Sequence, residues 1–217
     1  MFAAVGVVLS SVLICASVTL TSAALPTAAA ASCPPVEVVF ARGRNEPVGP
    51  GYVGDAFVKS LRAKTRKTVG VYAVNYPADT QIDLGAADMS RHVQYMAANC
   101  PKTRLVLGGY SLGAAATDLV LALPFSAFGF TNPLPPGADT HIAAVALFGN
   151  GSQWAGPIAA FNPIYTGRTI EMCHAADPIC NPSKPSTWQA DFNDHLQPGY
   201  INSGMVDQAA AFAAARI

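Results

Sequence analysis

Arg104-Leu105-Val106-Leu107-Gly108-Gly109-Tyr110-Ser111-Leu112-Gly113-Ala114-Ala115-Ala116 is the stretch whose reading decides the fold. The apolar run 104–108 reads as a buried strand, and 114–121 reads as a helix. Between them, Gly109-Tyr110-Ser111-Leu112-Gly113 has the form G-x-S-x-G. A strand that turns sharply into a helix through small residues pushes the central serine into a strained, exposed bend, a nucleophile elbow. The glycines matter because bulkier side chains would collide where strand and helix approach each other. Ser111 is therefore the candidate nucleophile. The plain alternative is a serine in an ordinary strand–turn–helix.

Outward from this bend, apolar strands alternate with helices. Residues 36–40, 69–74, 141–148 and 168–172 read as further strands. One helix opens at Gly54-Asp55, a long one covers 83–99 before Pro101, and a terminal one covers 205–216. Continuous apolar strands separated by helices predict an α/β fold with a central parallel five-stranded sheet and helices on both faces. Ligands on such sheets bind at the carboxyl ends of the strands, where Ser111 would lie. Two long irregular stretches remain: 124–139, with Phe125, Phe128 and Phe130, and 149–167, with Trp154, Phe161 and Tyr165. They read either as loop packing or as an apolar acyl-binding rim. Asn150-Gly151-Ser152 has the form of a glycosylation sequon, a pattern short enough to arise by accident.

Residues 1–32 carry no charged side chain; the first is Glu37. The apolar run after Phe2 is broken by Pro26 and followed by Ala28-Ala29-Ala30-Ala31, the outline of a secretory signal peptide over 1–32. An uncleaved membrane anchor is the competing reading. Cys15, inside that run behind the large Ile14, is assigned no role. The remainder, 33–217, is roughly 185 residues, the size of one domain. Hydrophobic residues make up 51% and charged ones 12%, with Lys+Arg and Asp+Glu balanced at 13 each. No net field draws nucleic acid or an acidic surface. The cluster Lys59, Arg62, Lys64, Arg66 and Lys67 reads as a solvated helix face. A secreted monomer acting on a small-molecule or lipid ester is expected, touching lipid or cell wall at most transiently.

Cys33, Cys100, Cys173 and Cys180 behind a leader imply disulfides, with three connectivities open. Cys173 and Cys180 bracket a short loop and are expected to close on each other, leaving Cys33 for Cys100. Neither C-x-x-C nor a paired-histidine spacing supports a metal site, and no cofactor is expected.

A nucleophilic serine needs a base and an orienting acid, which follow it in this fold in the order acid, then histidine. His92 precedes Ser111, and His141 begins a strand. His174 adjoins Cys173, whereas His195 sits in a late loop, where the base belongs. Asp177, in Asp177-Pro178-Ile179-Cys180, is the candidate acid, with a turn aspartate as the plain alternative. Asp191 and Asp194 are rivals so near His195 in sequence that reaching its far ring nitrogen would be awkward.

The chain resembles the cutinase family of serine esterases, in particular the secreted cutinase-like proteins of mycobacteria and related actinobacteria. The likeness rests on Phe40-Ala41-Arg42-Gly43 with Glu46, Tyr76-Pro77, Gly108-Gly109-Tyr110-Ser111, Asp177-Pro178-Ile179-Cys180 and the late His195. It spans essentially all of 33–217. The resemblance implies a small, largely lidless α/β-hydrolase fold. It implies Ser111 as nucleophile, His195 as base, Asp177 as acid, and disulfides Cys33–Cys100 and Cys173–Cys180. It further implies an oxyanion hole from the backbone N–H groups of Arg44 and Leu112. Two departures stand out: Leu112 replaces the family's usual glutamine, and Arg44 replaces a small hydroxyl residue. Ester hydrolysis through an acyl-enzyme is the leading expectation. Lipase or phospholipase action at a lipid surface, and a weakly active or inactive binding scaffold, are the alternatives.

Overall fold

Parallel strands set the frame. The computed structural model describes residues 1–2, 33–181 and 192–217, and 33–217 forms one unit. The expected signal peptide 1–32, Cys15 and Asp191 lie outside the described residues or outside that unit. The strands are β1 (Val36–Ala41), β2 (Val69–Ala73), β3 (Arg104–Tyr110), β4 (Ile142–Phe148) and β5 (Thr169–Met172). They form one sheet in the order β2-β1-β3-β4-β5, and every pairing is parallel. Among the described residues, six α-helices connect and cover them: α1 (Gly51–Lys64), α2 (Ile82–Asn99), α3 (Leu112–Ala122), α4 (Ile158–Phe161), α5 (Gln197–Asn202) and α6 (Met205–Ala214).

Side chains alternate across β3 with the period of two that a strand imposes. Leu105 and Leu107 join Val39, Met89, Val93 and Leu121 in the core beneath α2 and α3. Val106 and Tyr110 join Phe40, Phe57, Phe148 and Ala210 in the core beneath α1 and α6. The rings of Phe40, Phe57 and Phe148 meet at centroid distances of 5.9–6.3 Å in tilted and edge-on pairs. Both faces are buried, as continuous apolar strands require.

Several boundaries differ from the sequence reading. α1 opens at Gly51, not at Gly54; a Cβ at Gly54 would stand 2.7 Å from the Phe40 ring. That glycine therefore serves close helix–sheet packing and does not start the helix. His141 ends a one-turn 3-10 segment (Ala138–His141) ahead of β4. The basic cluster on and just after α1 is exposed apart from local pairings, such as Lys64 with Asp207 at 2.6 Å. Disulfides join Cys33 to Cys100 and Cys173 to Cys180.

Candidate active site

At the carboxyl end of β3 the chain reverses over a single residue. Ser111 has φ 54° and ψ −116°, and α3 begins at Leu112. A positive φ in a residue with a Cβ is a strained conformation that persists only when its surroundings force it. The flanking glycines show what does the forcing. A Cβ at Gly109 would lie 2.2 Å from Gly113 O, and one at Gly113 would lie 2.0 Å from Ala41 O. Both contacts are backbone, so neither can yield cheaply. The elbow is therefore pressed against β1 as well as against its own helix.

Two side chains converge on Ser111. His195 Nε2 lies 2.7 Å from Ser111 Oγ, and His195 Nδ1 lies 2.7 Å from Asp177 Oδ2. Asp177 and His195 are buried, at 0% and 2% exposure. Burial alone would raise the Asp177 pKa. Hydrogen bonds from His195 and Tyr200, the charge on His195 and the Ile179 N–H outweigh it, holding the carboxyl below its ordinary value. An ionised Asp177 accepts the Nδ1 proton, which leaves Nε2 free to accept from the serine hydroxyl. Asp194 is half-buried in the same 3-10 turn as His195 (Phe192–His195) and does not reach its ring.

The part that Tyr200 plays in holding the acid was not foreseen from the sequence. Tyr200, fully buried, donates its hydroxyl to Asp177 Oδ2 and accepts from the His174 N–H at 3.4 Å. Ile179 N–H donates to Asp177 Oδ1 at 2.7 Å. The Cys173–Cys180 loop thus holds one oxygen of Asp177, and Tyr200 and His195, outside that loop, hold the other. Tyr110, beside the serine, donates its hydroxyl to the His195 carbonyl and stacks on the imidazole at 5.4 Å. Burial pushes the phenols of Tyr110 and Tyr200 up, so both remain protonated donors. These tyrosines lie far in sequence from what they hold, and no local pattern marks them.

A second strand end supplies the loop facing the elbow. After β1, Arg42 is buried and donates to Glu46 O at 3.0 Å and to Tyr76 O at 2.7 Å. The Glu46 carboxylate accepts from Gly43 N–H at 2.6 Å and from Tyr52 N–H at 2.9 Å. Burial raises the Glu46 pKa against these bonds. A Cβ at Gly43 would meet the Tyr110 ring at 2.5 Å, so this loop abuts the elbow. Arg44 is exposed, and its Nε donates to Asp79 O at 2.6 Å. Among the described residues, neither Arg44 N–H nor Leu112 N–H has a hydrogen-bond acceptor. For Leu112 this is the ordinary state of a helix's first turn.

Of the other histidines, His92 lies at the amino end of the sheet. It pairs with Glu37 at 2.8 Å and stacks on Tyr72 at 3.5 Å. Asn150 is 1% exposed and donates to Asp118 Oδ2 at 2.7 Å, so the sequon asparagine is buried and engaged. Among the described residues, no group of three or more His, Cys, Asp or Glu could hold a metal. No helix among them is long and apolar enough to cross a membrane.

A doubly covered parallel sheet with a strained serine between strand and helix defines an α/β-hydrolase fold. A family model described as Cutinase matches residues 32–217, and the chain belongs to that family. It is 65% identical over 189 residues to a protein named probable carboxylesterase Culp2 of Mycobacterium tuberculosis, covering 87% of this chain and 82% of that one. It is 52% identical to phospholipase Culp4 of the same organism, covering 93% and 87%. Among solved structures, Trichoderma reesei cutinase in complex with a phosphonate inhibitor superposes with a TM-score of 0.63 at 31% identity, covering 84% and 76%. The catalytic core of an acetyl xylan esterase from the same fungus shares the fold, with a TM-score of 0.69 at 23% identity, covering 86% and 100%.

Proposed function

We propose that this cutinase-family chain is a secreted serine carboxylesterase that hydrolyses short- to medium-chain neutral esters through an acyl-enzyme. The observation that carries the reading is the unbroken line Ser111 Oγ–His195 Nε2 and His195 Nδ1–Asp177 Oδ2, 2.7 Å at each step, on a strained serine. Its carboxylesterase-named relative supports the reaction class.

In this mechanism Ser111 Oγ attacks the ester carbonyl carbon while His195 Nε2 takes its proton. The carbonyl electron pair moves onto oxygen, which accepts hydrogen bonds from the N–H groups of Arg44 and Leu112. When the tetrahedral centre collapses, the C–O bond to the alcohol breaks and the departing oxygen takes the proton from His195. Water then repeats the sequence on the acyl-enzyme, giving its proton to His195, and Ser111 leaves with that proton as the acid is released. Asp177 fixes the imidazole and stabilises its charged form throughout.

Ser111→Ala should lower hydrolysis of p-nitrophenyl butyrate by a factor on the order of a million. It should also abolish labelling by an organophosphonate while leaving the far-ultraviolet spectrum intact. Labelling of the folded variant at the wild-type rate would sink the assignment. The 52% identity to a phospholipase favours a second reading, action at a lipid surface. A jump in rate above the substrate's micelle-forming concentration would select it.

A further inference from the structure

The two N–H groups of the proposed oxyanion hole are held very differently. Leu112 N–H is fixed by α3, which begins at that residue. Arg44 lies in a turn between β1 and α1 and belongs to neither, so another part of the fold must aim its N–H. A donor aids catalysis only when it is already directed at the oxygen that will carry the charge.

That turn runs from Gly43 to Glu46 and is closed by Glu46 N–H donating to Gly43 O at 3.3 Å. Asn45, its third residue, has φ 58°, the left-handed value that a type II turn requires there. Asn45 N–H donates in turn to Ala78 O at 3.0 Å, tying the turn to the segment after β2. In a trans peptide the C=O and N–H point in opposite directions. With Gly43 O drawn toward Glu46 N–H, Arg44 N–H on the same peptide is turned outward. The Glu46 side chain grips the preceding peptide, since its Oε2 accepts from Gly43 N–H at 2.6 Å. One residue therefore fixes the peptides on both sides of the Gly43 α-carbon.

Glu46 is 6% exposed and is braced in its turn. Its Oε1 accepts from Tyr52 N–H at 2.9 Å, and Arg42 Nε donates to its carbonyl at 3.0 Å. A Cβ at Gly51 would strike Oε2, so glycine there keeps the space the carboxylate needs. Burial raises the Glu46 pKa, and the N–H groups of Gly43 and Tyr52, with the Gln197 side chain two residues past His195, offset part of that rise. A carboxyl group taken out of water costs stability, and the line Ser111–His195–Asp177 makes no use of this one.

We propose that Glu46 is a positioning residue for ester hydrolysis: it directs the Arg44 N–H at the oxyanion without itself touching substrate. The inference rests on the proposed reaction, with Arg44 N–H among its donors, and goes beyond it by naming what aims that donor.

Glu46→Gln keeps the size of the side chain but replaces one accepting oxygen with an NH2 group, so Gly43 N–H or Tyr52 N–H meets a donor. Turnover of p-nitrophenyl butyrate should fall at least about tenfold with KM unchanged, a part of the roughly 100- to 1,000-fold cost of losing an oxyanion donor outright. A straight-chain trifluoromethyl ketone reads the same donor directly. Ser111 Oγ adds to its carbonyl carbon, the carbonyl electron pair moves onto oxygen, and His195 takes the serine proton. Its inhibition constant should rise by the factor by which kcat/KM falls. A residue that only capped α1 would lower the melting temperature and leave kcat and ketone affinity as they were. Glu46→Asp, one methylene short of Gly43, should act in the same direction and covers the case in which Glu46→Gln fails to fold. In the wild type, amide resonances of Arg44 and Leu112 should move when the ketone adds, while Gly43 N–H stays protected from exchange. Unchanged turnover and ketone affinity in a folded variant would overturn the proposal, as would an Arg44 resonance that the ketone leaves in place. Loss of Gly43 protection in Glu46→Gln, in a protein that cleaves no ester and binds no ketone, would defeat the esterase reading and uphold the clamp.

Discussion

Tyr200→Phe removes a single oxygen from a fully buried side chain and leaves the ring that packs edge-on against Phe148 and Tyr110. The lost hydroxyl donates to Asp177 Oδ2, the same oxygen that holds His195 Nδ1. A buried hydrogen bond to an ionised group contributes about 1.5–3 kcal/mol net. Taking about 2 kcal/mol, and about 2–4 °C per kcal/mol for a domain of this size, the melting temperature should fall by about 4–8 °C. Turnover should fall about tenfold, equivalent to about 1.4 kcal/mol of lost orientation. That is far less than the roughly 10,000-fold expected for Asp177→Asn, which removes the negative charge and can present an NH2 donor to the imidazole, favouring its wrong tautomer.

The pH dependence has a definite sign. Asp177 is held below its ordinary value of 3.8, so its stabilisation is fully present above that value and is lost as pH falls through the lower folded value. The gap in melting temperature between Tyr200→Phe and the wild type should therefore persist at neutral pH and narrow below pH 3.8. Calorimetric scans across that range, with p-nitrophenyl butyrate turnover, provide the check. Equal melting temperatures and equal turnover at neutral pH would refute the claim that this phenol holds an ionised Asp177.

Gly113→Ala would put a Cβ 2.0 Å from Ala41 O, so urea denaturation should show a loss of about 3 kcal/mol; an unchanged midpoint would contradict the clash. The paired change Cys173→Ser with Cys180→Ser opens a loop of sequence separation 7 that brackets Asp177. It should remove most esterase activity while lowering stability by at most about 2–3 kcal/mol. Cys33→Ser with Cys100→Ser, at separation 67, should lower stability by about 4 kcal/mol and spare activity at 25 °C, as melting curves and assays run together would reveal. Arg44→Ser frees the guanidinium bond to Asp79 O and adds a hydroxyl beside the proposed oxyanion N–H. Turnover on small esters should rise, by up to about 100-fold if that hydroxyl is competent; a fall would give Arg44 itself a part in the reaction.

The elbow was legible because its chemistry is dictated locally. Backbone approaching within 2.2 Å of a would-be Cβ admits only glycine, and the sequence displays that restriction directly. The five strands were legible for a related reason, since burial on both faces writes an uninterrupted apolar run. α5 was not, because Pro198 and Gly199 read as loop, although proline suits a helix's first turn. Gly54 misled the start of α1, since a glycine that admits a neighbouring ring looks the same in sequence as one that opens a helix. Tyr200 and Tyr110 stayed invisible because each holds a group 23 or 85 residues away, a pairing that only the folded chain creates.

The elbow glycines have a further consequence for anyone redesigning this protein. Gly109 and Gly113 are bounded by backbone on all the sides that matter, so randomising them yields mostly dead clones. Phe125, Phe128, Trp154 and Phe161 are exposed and make none of the hydrogen bonds that join Ser111, His195 and Asp177. A library confined to those four positions can change what the protein accepts while leaving the bond-breaking apparatus as it stands.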